Sequence, residues 1–218
     1  MFNVSITPTV KNILIINILL FGVNLVVASM SSFHIGWALS LHPLGSESFQ
    51  VYQIFSYVFI QHSIINLALS SLTLYFMGSS LEQMWGAKKF LNFYIISSIC
   101  TAICILFFQG AYSFIKTGSF IPMETSVVSA GFEVYSGMRW IIFNLLTAIV
   151  LTMPDVNILL YFIIPIKVKY LWFFAVIMEA IQFFLNPSYN GVDLWTMLVT
   201  SIVTYFLLKN YVNKSRYF

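Results

Sequence analysis

Gly78-Ser79-Ser80-Leu81-Glu82-Gln83-Met84-Trp85-Gly86-Ala87-Lys88-Lys89-Phe90-Leu91-Asn92-Phe93-Tyr94 joins two long apolar runs, and its reading decides the fold. Gly78 and Gly86 permit tight backbone at each end of the turn. Glu82 offers a carboxylate that can accept hydrogen bonds or face the Lys88-Lys89 pair, and Phe90-Leu91-x-x-Tyr94 opens the next apolar segment. The pattern is that of a compact turn linking two membrane spans on one side of a bilayer.

Composition agrees with that reading. Of 218 residues, 60% are hydrophobic and 8% charged, with a mean hydropathy of +0.90, whereas a soluble domain carries about 25% charged residues. Ten Lys and Arg against seven Asp and Glu leave a net charge of +3, too few and too scattered to make a nucleic-acid surface. Cys100 and Cys104 lie four apart in an apolar run and share a helix face. They read as two buried reduced thiols, and no metal or cofactor is expected.

A spanning helix needs about 20 mostly apolar residues. Six segments are candidates, at about 12–30, 57–77, 90–109, 139–153, 169–186 and 194–209. The first ends in Ala28 and Ser29, as a cleaved leader would, but its length and the five spans after it favour a retained helix. The expectation is one all-α membrane domain over residues 1–218. With six spans and the N-terminus inside, Lys11, Lys88, Lys89, Lys167, Lys169, Lys209, Lys214 and Arg216 all fall inside, leaving Lys116 and Arg139 outside. The positive-inside rule therefore puts both termini in the cytoplasm. Glu47, Glu124, Glu133 and Asp193 fall on the outer side or at its membrane edge. Of the two long outer connections, 31–56 and 110–138, the first is aromatic and amphipathic and suits the headgroup region.

The turn quoted above resembles that of the rhomboid family of intramembrane serine proteases. Tyr52-Gln53-Ile54-Phe55-Ser56-Tyr57-Val58-Phe59 is similar to the family's entry into its second helix, and Pro165-Ile166-Lys167-Val168-Lys169-Tyr170 to a turn before the fifth helix in a bacterial subgroup. The resemblance implies a six-helix bundle, with Gly78, Glu82, Gly86 and Tyr94 as its structural motif, and a bacterial cytoplasmic membrane as its location. It also implies a Ser-His dyad: a Ser in Gly-x-Ser-Gly at the outer end of the fourth helix, and a His in His-x-x-Gly on the sixth. Such a serine needs the imidazole as its base.

Counting from Pro154 puts the nucleophile position on Arg139, and counting back from Lys209 puts the base position on Met197. The second-helix residues that help hold the oxyanion in the family fall on Asn66 and Ser70. The three histidines are His34, His42 and His62, so nothing after residue 62 supplies an imidazole. The alternative is an active serine endopeptidase using Ser136, of Tyr135-Ser136-Gly137, with His62 as an atypical base. The favoured expectation is a pseudoprotease, inactive because the dyad positions read Arg139 and Met197, that binds transmembrane segments of client membrane proteins within the lipid without cutting them.

Ionisable groups inside a membrane are costly and usually paired. Arg139 is expected to pair with Asp193 or Glu133 where the dyad would be. Glu179 lies about 15 Å along its helix from Lys169 at 1.5 Å per residue, and needs Arg139 or a neutral state. Thr196, Thr200 and Thr204 make a four-spaced polar stripe that suits close helix packing. Phe76, Trp172 and Phe173 are candidates for the client-facing surface. A transporter or channel is disfavoured because too few polar groups mark a pathway. In sealed right-side-out vesicles, epitope tags at both ends are expected to resist external protease, and a tag inserted at Gly118 to be digested. Digestion of a terminal tag in intact vesicles would reverse the assignment.

Overall fold

The computed structural model describes residues 5–30, 34–121, 134–155, 157–160, 164–185 and 191–215. The elements in chain order are α1 (Pro8–Met30), α2 (Ile35–Leu39), α3 (Gln53–Ser56), a 3-10 turn (Tyr57–Phe59), α4 (Ile64–Thr73), a π-helical turn (Leu74–Gly78), α5 (Ser79–Trp85), α6 (Ala87–Thr117), α7 (Arg139–Thr152), a hairpin of β1 (Asn157–Leu160) and β2 (Ile164–Lys167), α8 (Val168–Leu185) and α9 (Val192–Ser215). The protein is an α-helical membrane protein. Among the described residues, five helical stretches are long and apolar enough to cross a bilayer: Pro8–Met30, Ile64–Trp85, Ala87–Thr117, Val168–Leu185 and Val192–Lys209.

Helix α7 is different. Its 14 residues reach about 21 Å at 1.5 Å per residue, short of the roughly 30 Å hydrocarbon layer. It is also buried nearly all round, through Trp140, Ile141, Phe143, Asn144, Leu145, Leu146, Thr147, Ala148 and Ile149. A helix sheathed by protein is not required to match the lipid thickness, and α7 forms the centre of the bundle. Asn144 Nδ2 donates to Thr101 Oγ1 of α6 at 2.9 Å, and Trp172 Nε1 of α8 donates to Thr147 Oγ1 at 2.9 Å. The buried Thr196, Thr200 and Thr204 of α9 give that helix a face of small side chains, and the Thr200 hydroxyl donates back to the Thr196 carbonyl at 2.7 Å. Short polar side chains let helices approach closely where lipid offers no hydrophobic gain.

The connection between α1 and α4 is folded down by buried polar groups. Gln53 Nε2 donates to the Ala38 and Ser48 carbonyls, and its Oε1 accepts from the His42 backbone. Leu41 and Tyr135 exchange backbone hydrogen bonds, and Gly137 N donates to the Tyr57 carbonyl at 2.9 Å. This connection therefore fixes the residues just ahead of α7. Trp37, Val51, Tyr52 and Phe55 stay exposed on it, as a segment at the membrane edge requires.

At the opposite end, β1 and β2 pair antiparallel from Asn157 opposite Lys167 to Leu160 opposite Ile164. Asp155, ahead of the hairpin, accepts from Lys169 at 2.9 Å and Lys167 at 3.4 Å. The Lys169 hydrogen bond, with that of Lys167, holds its carboxyl below the ordinary carboxylate value. The clasp is complete at neutral pH and is lost as pH falls through that lowered value.

Glu82 makes the contact that seats α1. It accepts from the Thr7 hydroxyl and, at 3.0 Å each, from the backbone N–H groups of Thr9 and Val10. These donors belong to the first turn of α1, where no carbonyl lies within the helix to receive them. Glu82 is thus a capping carboxylate supplied from 75 residues away. Its charge also suits the positive end of the helix dipole. Glu82→Ala is expected to lower stability by about 2 kcal/mol, the scale of hydrogen bonds to a charged acceptor, and to free α1 selectively. Thermal unfolding in detergent and proteolysis ahead of α4 check this; an unchanged midpoint would contradict it.

Candidate functional site

Four elements meet where α7 starts. Gly137, at φ +92°, turns the chain from the Leu41–Tyr135 bridge into α7. A Cβ there would stand 3.1 Å from Gln61 Oε1, so the left-handed turn and the close approach both call for glycine. Arg139 is the first residue of α7. Its Nη2 lies 2.6 Å from Glu179 Oε2 of α8 and its Nη1 3.4 Å from Asp193 Oδ2, in the first turn of α9. The guanidinium carbon stands 5.1 Å from the centroid of the Trp140 ring.

The electrostatics explain the arrangement. A cation at a helix N-terminus sits at the positive end of the dipole, the unfavourable one, whereas Asp193 at the start of α9 is favourably placed. The Arg139 side chain is 59% exposed, and those of Glu179 and Asp193 9% and 8%. The guanidinium reaches in from the edge to two carboxylates that are nearly removed from solvent. Arginine suits this because its planar fork serves two acceptors and stays charged at any physiological pH.

Met197 is one turn beyond Asp193 and buried. Neither a guanidinium nor a thioether takes up a proton usefully, so Arg139 and Met197 supply neither nucleophile nor base. Asn66 is exposed and Ser70 half-buried on α4. Among the described residues no side-chain hydrogen bond ties either of them to Arg139 or Met197. Ser136 is half-buried ahead of Gly137, and among the described residues no hydrogen bond joins it to a histidine. His62 Nε2 instead lies 3.4 Å from Ser40 Oγ. The Ser40 hydroxyl already donates to the Gly36 carbonyl at 2.6 Å, so His62 is the donor in that contact and does not activate Ser40. His42 Nε2 donates to the Trp37 carbonyl at 2.9 Å, and His34 is exposed. Glu133 and Glu124 lie outside the described residues. Among the described residues no three His, Cys, Asp or Glu side chains converge as a metal site would require.

Sequence reasoning singled out Arg139, Glu179 and Asp193, and the structure brings them together. It did not find the partner of Glu82. Thr7-Pro8-Thr9 carries a signal for it, since Thr followed by Pro marks a helix start and a helix start needs acceptors. Trp172 was read as a client-facing group, yet it is half-buried, stacked on Phe143 with centroids 6.1 Å apart and bonded to Thr147.

The fold and this site define a polytopic α-helical membrane protein in which one cation and two acids join the starts of α7 and α9 to the latter half of α8. Residues 12–216 match the family described as eukaryotic integral membrane protein (DUF1751), and the chain belongs to it. It is also similar to rhomboid-like protein 19 of Arabidopsis thaliana, 27% identical over 113 residues, which cover 52% of this chain and 33% of that relative. The alignment spans a third of the relative's length. Together the two findings support a rhomboid-like relationship. They overturn the expected bacterial cytoplasmic membrane: the family is eukaryotic and the relative is a plant protein. The bacterial expectation came with the likeness of Pro165-Ile166-Lys167-Val168-Lys169-Tyr170 to a turn in a bacterial subgroup, and a short lysine-bearing turn at a membrane edge meets the same physical demands in both kinds of cell.

The charge cluster makes an asymmetric prediction. Arg139→Gln leaves two buried carboxylates facing each other, whereas Glu179→Gln leaves the guanidinium with Asp193. Removing one partner of a fully buried pair costs about 3–5 kcal/mol; with the arginine more than half exposed, Arg139→Gln is expected to cost about 1–3 kcal/mol, and Glu179→Gln less. Thermal unfolding of the two variants checks this, and equal losses would contradict it.

Proposed function

We propose that this protein is a six-span rhomboid-like pseudoprotease of a eukaryotic membrane that binds transmembrane segments of client membrane proteins and holds or delivers them uncut. In this reading the short central α7 adds a crossing, fourth in chain order, to the five longer ones, both termini are cytoplasmic, and the Arg139 end of the bundle faces away from the cytoplasm. The carrying observation is the guanidinium of Arg139 bonded to Glu179 and Asp193 at the position where counting expects a nucleophile. Met197 at the base position and the lack of any histidine after residue 62 support the same reading. The two carboxylates there are engaged by the guanidinium, no imidazole is at hand, and a positive charge bonded to two acids attacks nothing.

Client binding rests on the surface that loss of chemistry leaves in place. Helix α8 buries Val168 and Glu179 and exposes Phe173, Phe174, Ile177 and Met178. It is held to the bundle mainly at Trp172 and at Glu179, so its outward face is free to meet another helix. Aromatic rings and a flexible thioether pack adaptably against varied side chains. A photo-crosslinking residue at Phe173 is expected to capture a co-reconstituted model transmembrane segment as an adduct of the two intact chains, and one at Leu19 on α1 is not. Equal capture at both positions, or none at Phe173, would count against this face.

A further inference from the structure

Helices α6 and α9 leave an open groove of about 320 Å³ between them, lined by Phe108, Ala111, Tyr112, Ile115, Val192 and Trp195. Phe108 and Trp195 form one wall, with rings stacked at 6.5 Å and 28°. Ile115 and Trp195 are 80% and 51% exposed, so the groove opens outward from the bundle, where the bilayer lies around a spanning helix pair. An apolar hollow facing acyl chains does not stay empty, because its lining would forfeit dispersion contacts.

The end of the groove is not apolar. Lys116, in the last turn of α6, places its Nζ 5.8 Å from the centroid of the Tyr112 ring. Among the described residues no carboxylate lies within ion-pair distance of it. Across the groove, Trp195 Cδ1, the ring carbon next to the indole N–H, lies 3.7 Å from where a Cβ on Gly191 would stand. The N–H edge of the indole therefore faces the start of α9, the same end as Lys116. A lysine near the end of a span carries its ammonium to the headgroups, and tryptophan and tyrosine settle at that level with the ring in the apolar layer.

We propose that this groove binds one anionic phospholipid, with an acyl chain along Phe108, Ala111 and Ile115 and the phosphate at the Lys116 ammonium. Charge selects the headgroup, since the ammonium has no acid partner among the described residues. The lining suits a lipid: it is apolar along Phe108, Ala111 and Ile115 and carries a cation only at the Lys116 end, the order in which an acyl chain and its phosphate follow one another. No lining residue of the groove belongs to the Arg139 cluster or to the outward face of α8, so the proposal stands whether or not the protein binds clients.

The test is native mass spectrometry of the detergent-purified full chain with added phosphatidylglycerol or phosphatidylcholine of identical acyl chains. The wild type is expected to retain one phosphatidylglycerol in preference to phosphatidylcholine. Lys116→Ala should lower that retention roughly fivefold, the effect of one cation near an anionic headgroup, and Lys116→Arg should keep it. Ala111→Phe, which fills the groove, should abolish retention of both lipids. Equal retention of the two lipids by the wild type, or no change in Lys116→Ala, would overturn the proposal. So would a photo-crosslinking residue at Ala111 that yields a polypeptide adduct in membranes in place of a lipid-sized one.

Discussion

One guanidinium shared by two nearly buried carboxylates ties the first turns of two helices in the second half of the bundle to the latter half of a third. Arg139, Glu179 and Asp193 come from α7, α8 and α9, and none of the three is tolerable alone in an apolar surround. Arg139 carries its charge into the unfavourable end of α7, and the two acids compensate. The position of α8 depends on this contact together with that of Trp172 on Phe143 and Thr147, because the only buried residues of that helix are Val168 and Glu179. A membrane protein gains no hydrophobic energy by packing helix on helix within lipid, so such polar ties decide which helices stay together.

The same logic runs through the first half. Glu82 receives the first turn of α1, Tyr57 donates from the α3 side to the Ser98 carbonyl of α6 at 2.9 Å, and Asn144 reaches Thr101. Each is a donor with a dedicated acceptor in a medium that supplies none. The π-helical turn at Leu74–Gly78 shifts the face of the span by a residue just before Glu82, and such turns recur where a helix must present a side chain out of normal register. Gly78 sits where a Cβ would approach Val10 and Leu74 at 3.0 Å, so α1 can lie close enough for its amides to reach the carboxylate.

Helical, membrane-embedded character was legible in the sequence because apolar length alone carries it. The intramembrane charges were legible as a need: an arginine, a glutamate and an aspartate in apolar surroundings call for partners, though only the fold gives Arg139 its closer contact to Glu179 than to Asp193. The Glu82 cap was hidden by separation, since nothing in residues 78–94 points to an acceptor-hungry turn at residues 7–10. The β1–β2 hairpin was hidden for another reason. Its apolar residues continue the hydropathy of the helices on either side, and a run of Ile and Leu does not by itself distinguish strand from helix. Kind of organism was not legible at all, because the bilayer imposes the same demands on both.

The central claim is that the bundle keeps a rhomboid-like frame while its chemistry is gone. The most direct measurement is cleavage of a model transmembrane substrate in proteoliposomes, with fluorophosphonate labelling of the wild type beside Ser136→Ala. The account predicts neither product nor label in either protein. Product from the wild type, with a label that disappears in Ser136→Ala, would show a working serine nucleophile and contradict it.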